Sequence, residues 1–219
     1  MALLAWDDVT WPAFVAGLEG YRDHFPRAAR APDAFPEKAA DIIRLLNTWA
    51  CRLSTERAPG ALETWLEDKA PALERLAPLT IGDPRLPAQA EELGAMHDDL
   101  IAHMRANGVN SMGDAAASKA LYVLRPRLFV MWDKEIRRSA PEGYGAYLLQ
   151  MHALALRLTD EAPAADVEAY LQELLGYETR KTLAKYLDEY NWFEAVGTEQ
   201  LTARGDPLAS AKSKGDTRA

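Results

Sequence analysis

Lys119 and Asp133 are an amine and a carboxylate fourteen positions apart in a stretch whose charge runs against the rest of the chain. An amine that gives up its proton is a covalent nucleophile, and a poorly hydrated carboxylate stabilises positive charge developing on a sugar carbon. Between Met104 and Arg138, Arg105, Lys119, Arg125, Arg127, Lys134, Arg137 and Arg138 outweigh Asp114, Asp133 and Glu135, a local balance of +4 within a net charge of -8. Such a reversal is a candidate phosphate-facing patch, with Arg125, Arg127, Lys134, Arg137 and Arg138 as the nucleic-acid contacts. Tyr122 and Trp132, with Phe129 nearby, are rings of the kind that stack on a flipped base. Plainer roles compete for each residue. Asp133 suits a helix N-cap, Lys119 a solvated helix face, the aromatics a core, and the charges an ordinary salt-bridged surface.

Other chemistries find less support. The four histidines, His24, His97, His103 and His152, lack ligand spacing: His97 and His103 are six apart, on different helix faces. Asp99 and His103 stand four apart, but no Glu-x-x-His element of the di-iron kind accompanies them. No metal or other cofactor is therefore expected. Cys51, the only cysteine, sits in an apolar helical pattern that suits an inert thiol, and it allows no intramolecular disulfide. Neither phosphate-binding glycine signature, G-x-x-x-x-G-K-[ST] or G-x-G-x-x-G, is present. The acidic balance, with a pI near 5.1, weighs against broad adhesion to nucleic acid or anionic membrane. The opening residues MALLAWDDVTW lack the form of a secretory leader, and no apolar run nears the roughly 18 residues of a membrane span. A cytoplasmic protein is the expectation.

Apolar residues recur at three- and four-residue spacing almost throughout, so the elements that must position these groups are helices. The pattern predicts helices from about Thr10 to His24, Pro36 to Leu53, Ala61 to Leu76 with a break at Pro71, Pro87 to Asn107, and Ser111 to Leu124. A short one follows, capped by Asp133 and running through Arg138, then Gly143 to Leu158, Pro163 to Leu175, and Thr179 to Trp192. Gly108 and Gly176 are stop signals. An all-α domain over residues 1–197 is expected, a compact orthogonal bundle built as one unit or two lobes. From Thr198 to Ala219 small and charged residues dominate, which predicts a disordered tail.

The block GDAAASKALYVLRPRLFVMWDKEIRR, Gly113 to Arg138, resembles the active-site region of the helix-hairpin-helix DNA glycosylases. There a glycine hairpin precedes a lysine-bearing helix, a short loop and an aspartate that opens the next helix. Together with KTLAKYLDEYNWF, Lys181 to Phe193, the block is similar to a group of uncharacterised bacterial all-α proteins loosely associated with that superfamily. The chain has Gly113-Asp114-Ala115 where the family has a Gly-x-Gly hairpin, and its single cysteine precludes an iron–sulfur cluster. The resemblance implies a hydrolase that cleaves an N-glycosidic bond in DNA or a modified nucleotide. It makes Asp133 the carboxylate that stabilises the oxocarbenium-like sugar or activates the attacking water, Lys119 the counterpart of the Schiff-base lysine of bifunctional members, and DNA the partner. The alternative is a non-catalytic helical module that binds nucleic acid or protein; a third reading leaves the basic segment purely structural.

Overall fold

In a computed structural model of the protein, residues 6–25, 35–137 and 143–197 are described. Among them every regular element is helical. In chain order these are a 3₁₀ turn at Trp6–Asp8, then α1 (Trp11–His24), α2 (Ala39–Thr48), α3 (Ala58–Leu76), α4 (Leu86–Ala106) and α5 (Asp114–Leu124). They continue with α6 (Lys134–Arg137), α7 (Tyr144–Glu161), α8 (Val167–Leu175) and α9 (Leu183–Trp192), which runs into a π turn at Phe193–Gly197. The expected all-α class holds. Arg138 and the predicted tail from 198 lie outside the described residues.

The long helices α4 and α7 pack closely against each other. Gly94 and Gly145 make this approach possible: a Cβ on Gly145 would stand 2.6 Å from the Ala90 carbonyl oxygen, closer than real Cβ atoms come. Around this pair a single continuous core collects Leu62, Trp65, Leu93, Leu100, Leu121, Phe129, Leu148 and Leu187, all fully buried or nearly so. α1 crosses α9 by a similar device, with Gly17 under the Tyr190 ring and Gly20 under Phe193.

Several boundaries differ from the sequence expectation, and the differences in α2, α3, α8 and α9 each have a local reason. α2 stops at Thr48 rather than Leu53 because the Asn47 amide brackets the chain beyond it, accepting from the Leu53 N–H at 2.7 Å and donating to the Leu53 carbonyl at 2.9 Å. The intervening Ala50 (φ 61°) and Arg52 (φ 54°) take left-handed backbone that residues with a Cβ seldom adopt. α3 runs through Pro71 without a break. Pro71 lies on the exposed side, so the Glu67 carbonyl that loses its partner is left on the exposed face. α8 and α9 begin later than predicted, at the points where the Asp166 side chain accepts from the Ala169 N–H and Thr182 Oγ from the Lys185 N–H.

Candidate active site

The segment from Val130 to Trp132 has no helical or strand bonding of its own and is held by side chains from other elements. Tyr144 donates its hydroxyl to the Val130 carbonyl at 2.8 Å and Tyr147 donates to Met131 at 3.0 Å, both from the first turns of α7. Ser118 Oγ accepts the Trp132 N–H at 3.0 Å while donating to Ala115 within α5. Ser118 is the neighbour of Lys119, so this bond lays the chain before Asp133 directly against the lysine's helix. The consequence is an ion pair: Lys119 Nζ lies 2.9 Å from the Asp133 carboxylate, with the two side chains 13% and 23% exposed. The main-chain carbonyl of Asp133 accepts from the Arg137 N–H and closes the single turn of α6, leaving the carboxylate to face the lysine.

This pair lies in the wall of a cavity of about 510 Å³, a volume suited to a small planar ligand. α1 contributes Tyr21 and the loop residue Phe25, the end of α2 contributes Thr48 and Trp49, and α9 contributes Lys185, Asp188 and Trp192. The aromatic side is itself packed: Phe25 meets Trp192 edge-on at 4.6 Å between centroids, and Tyr21 meets it edge-on at 6.1 Å. Trp49 is carried on the clamped, left-handed loop described above.

A second lysine–aspartate pair shares the cavity. Lys185 Nζ stands 2.7 Å from Asp188 and 3.6 Å from Glu189. Burial pushes the carboxyls of Asp188 and Glu189 up, partly offset by Lys185. Lys185 is held well above the usual lysine range by Asp188, Tyr21, Glu189 and Tyr122, which overcome the opposing effect of burial. Asp188 also feels the charges of Asp133 and Lys119, so the two pairs form one electrostatic unit. Behind them Glu189 is bound at 2.8 and 3.0 Å by Lys181, whose ammonium also lies 3.5 Å from the Tyr177 ring centroid. Burial brings Lys181 down to about 8. Lys119 and Asp133 influence the Cys51 thiol as well; it is half-buried, and that burial raises its pKa.

The remaining predicted site residues take other places. Tyr122 is buried, with Phe35 edge-on at 5.4 Å and Trp49 at 6.5 Å between centroids. Trp132 is buried among Tyr144, Tyr147 and His97, with the Arg137 guanidinium over its ring. Neither is among the cavity's lining residues; the rings that are belong to Tyr21, Phe25, Trp49 and Trp192. Of the five predicted phosphate contacts Arg138 lies outside the described residues, and the other four scatter. Arg125 donates to the main-chain carbonyls of Leu73 and Leu124, which makes it an internal staple. Arg127 lies 3.6 Å from Glu168 in a separate cavity of about 560 Å³, where Arg180 pairs with Asp166 and Glu168. Arg137 is paired with Asp114. Lys134 is exposed at the start of α6.

Among the described residues no group of three or more His, Cys, Asp or Glu side chains is arranged to hold a metal. His24, His97, His103 and His152 each place a ring nitrogen on a main-chain carbonyl, which accounts for them structurally. No helix among the described residues is long and apolar enough to cross a membrane. Lys185, Asp188 and Trp192 were not among the residues singled out as catalytic or binding. Their signal is present in KYLDEYNW, where positions 185, 188 and 192 fall on one helical face as a polar stripe ending in an aromatic. Comparison with family models, curated proteins and solved structures finds no match to this chain.

Proposed function

We propose that the protein cleaves an N-glycosidic bond in a DNA nucleotide or a modified nucleotide, with the base received in the aromatic cavity. The observation that carries this reading is the Lys119–Asp133 pair at 2.9 Å in the wall of that cavity. As the bond to the base lengthens, positive charge grows on the sugar, and the part-shielded Asp133 carboxylate stabilises it. Lys119 lies within hydrogen-bond reach of the same carboxylate, so its proton has an acceptor when the amine attacks the sugar carbon. Tyr21, Phe25, Trp49 and Trp192 give a planar ring faces and edges to pack on. The resemblance of Gly113–Arg138 to helix-hairpin-helix glycosylases points the same way. The basic residues lend less support, because Arg125, Arg127 and Arg137 each have an internal partner.

The test is incubation with oligonucleotides carrying modified bases or abasic sites, with borohydride present to trap a Schiff base. Wild-type protein is expected to release base and form a trapped adduct. Lys119→Gln should lose the adduct, and Asp133→Asn should slow base release by about 10²- to 10³-fold, the scale of losing one preorganised electrostatic group. Equal release by wild type and Asp133→Asn would remove the assigned role.

A further inference from the structure

Asp133 and Lys119 account for the sugar end of the reaction just proposed, and they leave a second ammonium in the same cavity without a task. Resting on that reading, we propose that Lys185 receives the departing base as its anion, so that the site favours lactam bases, whose ring carbonyls carry the charge.

Heterolysis of the bond between C1′ and the ring nitrogen leaves the electron pair on the base and a cationic carbon on the sugar. The carbon is captured by the Lys119 amine or by water. The base departs as an anion and takes a proton from solvent afterwards. In a uracil-type or oxopurine ring the pair spreads onto carbonyl oxygen, the preferred partner for a group that only donates hydrogen bonds. Adenine has no such oxygen.

The groups around Lys185 suit this task. Asp188 at 2.7 Å and Glu189 at 3.6 Å hold the amine as an ammonium. Tyr21 and Tyr122, neutral phenols whose ionisation burial pushes upward, lie near the same amine. Lys181 behind Glu189 takes up part of that acid's charge, Lys119 and Asp133 lie in the same cavity wall, and the Cys51 thiol stands near that pair. Lys185 is only 12% exposed, so a negative oxygen beside it is poorly screened and the attraction is strong. A lysine kept charged in a shielded cavity is preorganised for charge that appears only as the bond breaks.

The experiment compares single-turnover release of uracil, 5-fluorouracil and adenine from otherwise identical oligonucleotides by wild type, Lys185→Met and Lys185→Arg. Fluorine makes the departing ring a more stable anion, so it should depend less on Lys185. The expected result for Lys185→Met is a loss of about 10²- to 10³-fold on uracil but under about tenfold on 5-fluorouracil. Lys185→Arg, which keeps the charge, should recover most of the rate, and adenine should be the poorest substrate for wild type. A second measurement needs no catalysis: free 5-fluorouracil should quench the fluorescence of the cavity tryptophans and bind more tightly as pH rises through its ionisation, in wild type and Lys185→Arg but not in Lys185→Met. An equal loss on all three bases, with binding indifferent to ionisation, overturns the role of Lys185 while leaving the glycosidic reading standing. No release from any substrate, with ionisation-dependent binding intact, overturns the glycosidic reading and supports the anion site.

Discussion

Two lysine–carboxylate pairs of almost the same length do opposite work in this molecule. Lys181 and Glu189 meet at 2.8 Å with neither side chain exposed, whereas Lys119 and Asp133 meet at 2.9 Å with 13% and 23% exposed, in a cavity wall. The sealed pair cannot exchange partners without stranding a charge in the interior, so its value lies in holding α9 and the residues before it in place. The cavity pair retains access to a ligand and can trade its internal contact for a new one at small cost. Contact distance says little about role here; access decides it.

Breaking the sealed pair should produce the largest stability change. Lys181→Met strips Glu189 of its close partner in the core, leaving Lys185 at 3.6 Å, and is expected to cost about 3–5 kcal/mol in denaturant unfolding; a loss below about 1 kcal/mol would erase the contrast. Ser118→Ala removes the acceptor of the buried Trp132 N–H and should cost about 1–3 kcal/mol. It should also slow base release, because the chain that presents Asp133 is no longer fastened beside Lys119.

The sealed pair can also be read through pH. The unfolded chain holds the Lys181 proton up to the ordinary lysine value of 10.5, while the folded protein gives it up near 8. Between those values the unfolded state binds more protons, so the penalty, full below pH 8, is relieved as pH rises. This contributes a gain of at most about 1.4 kcal/mol per pH unit. Thermal unfolding of wild type between pH 8 and 10 should show that rise, and Lys181→Met should lack it. A smaller effect is expected at the cavity: Lys119→Met leaves the partly exposed Asp133 within reach of solvent and should cost about 1–2 kcal/mol even as it abolishes the trapped adduct.

Helical periodicity made the class legible, and the stop signals at Gly108 and Gly176 both fall at left-handed positions after helix ends. Lys119 and Asp133 were both singled out from the sequence, but their pairing depends on Ser118 holding the Trp132 N–H, which no local pattern encodes. What stayed hidden depended on contacts distant in sequence. Asn47 ends α2 by bracketing Leu53, which no propensity encodes, and so Trp49 reaches the cavity from a loop rather than from the middle of a helix. Tyr122 and Trp132 looked suited to stacking because they lie close to Asp133 in sequence, yet the rings that line the cavity come from α1, the end of α2 and α9. Arg125 reads as a surface charge in a list of residues and proves to be a staple once the Leu73 carbonyl is placed beside it.

The buried amide of Asn191 ties together parts of the chain that are made at very different times. It accepts from the Trp6 indole at 2.8 Å, across 185 positions, and donates to the Tyr147 hydroxyl at 3.2 Å. During synthesis the Trp6 turn must wait for almost all the described residues to emerge before its partner exists, and α1, which packs on α9, waits with it. Closing so long a loop is entropically costly and slow, so this fastening belongs to the late steps of folding. The cavity, which needs Tyr21 and Phe25 from one end and Lys185 and Trp192 from the other, is thus completed only as the fold itself closes.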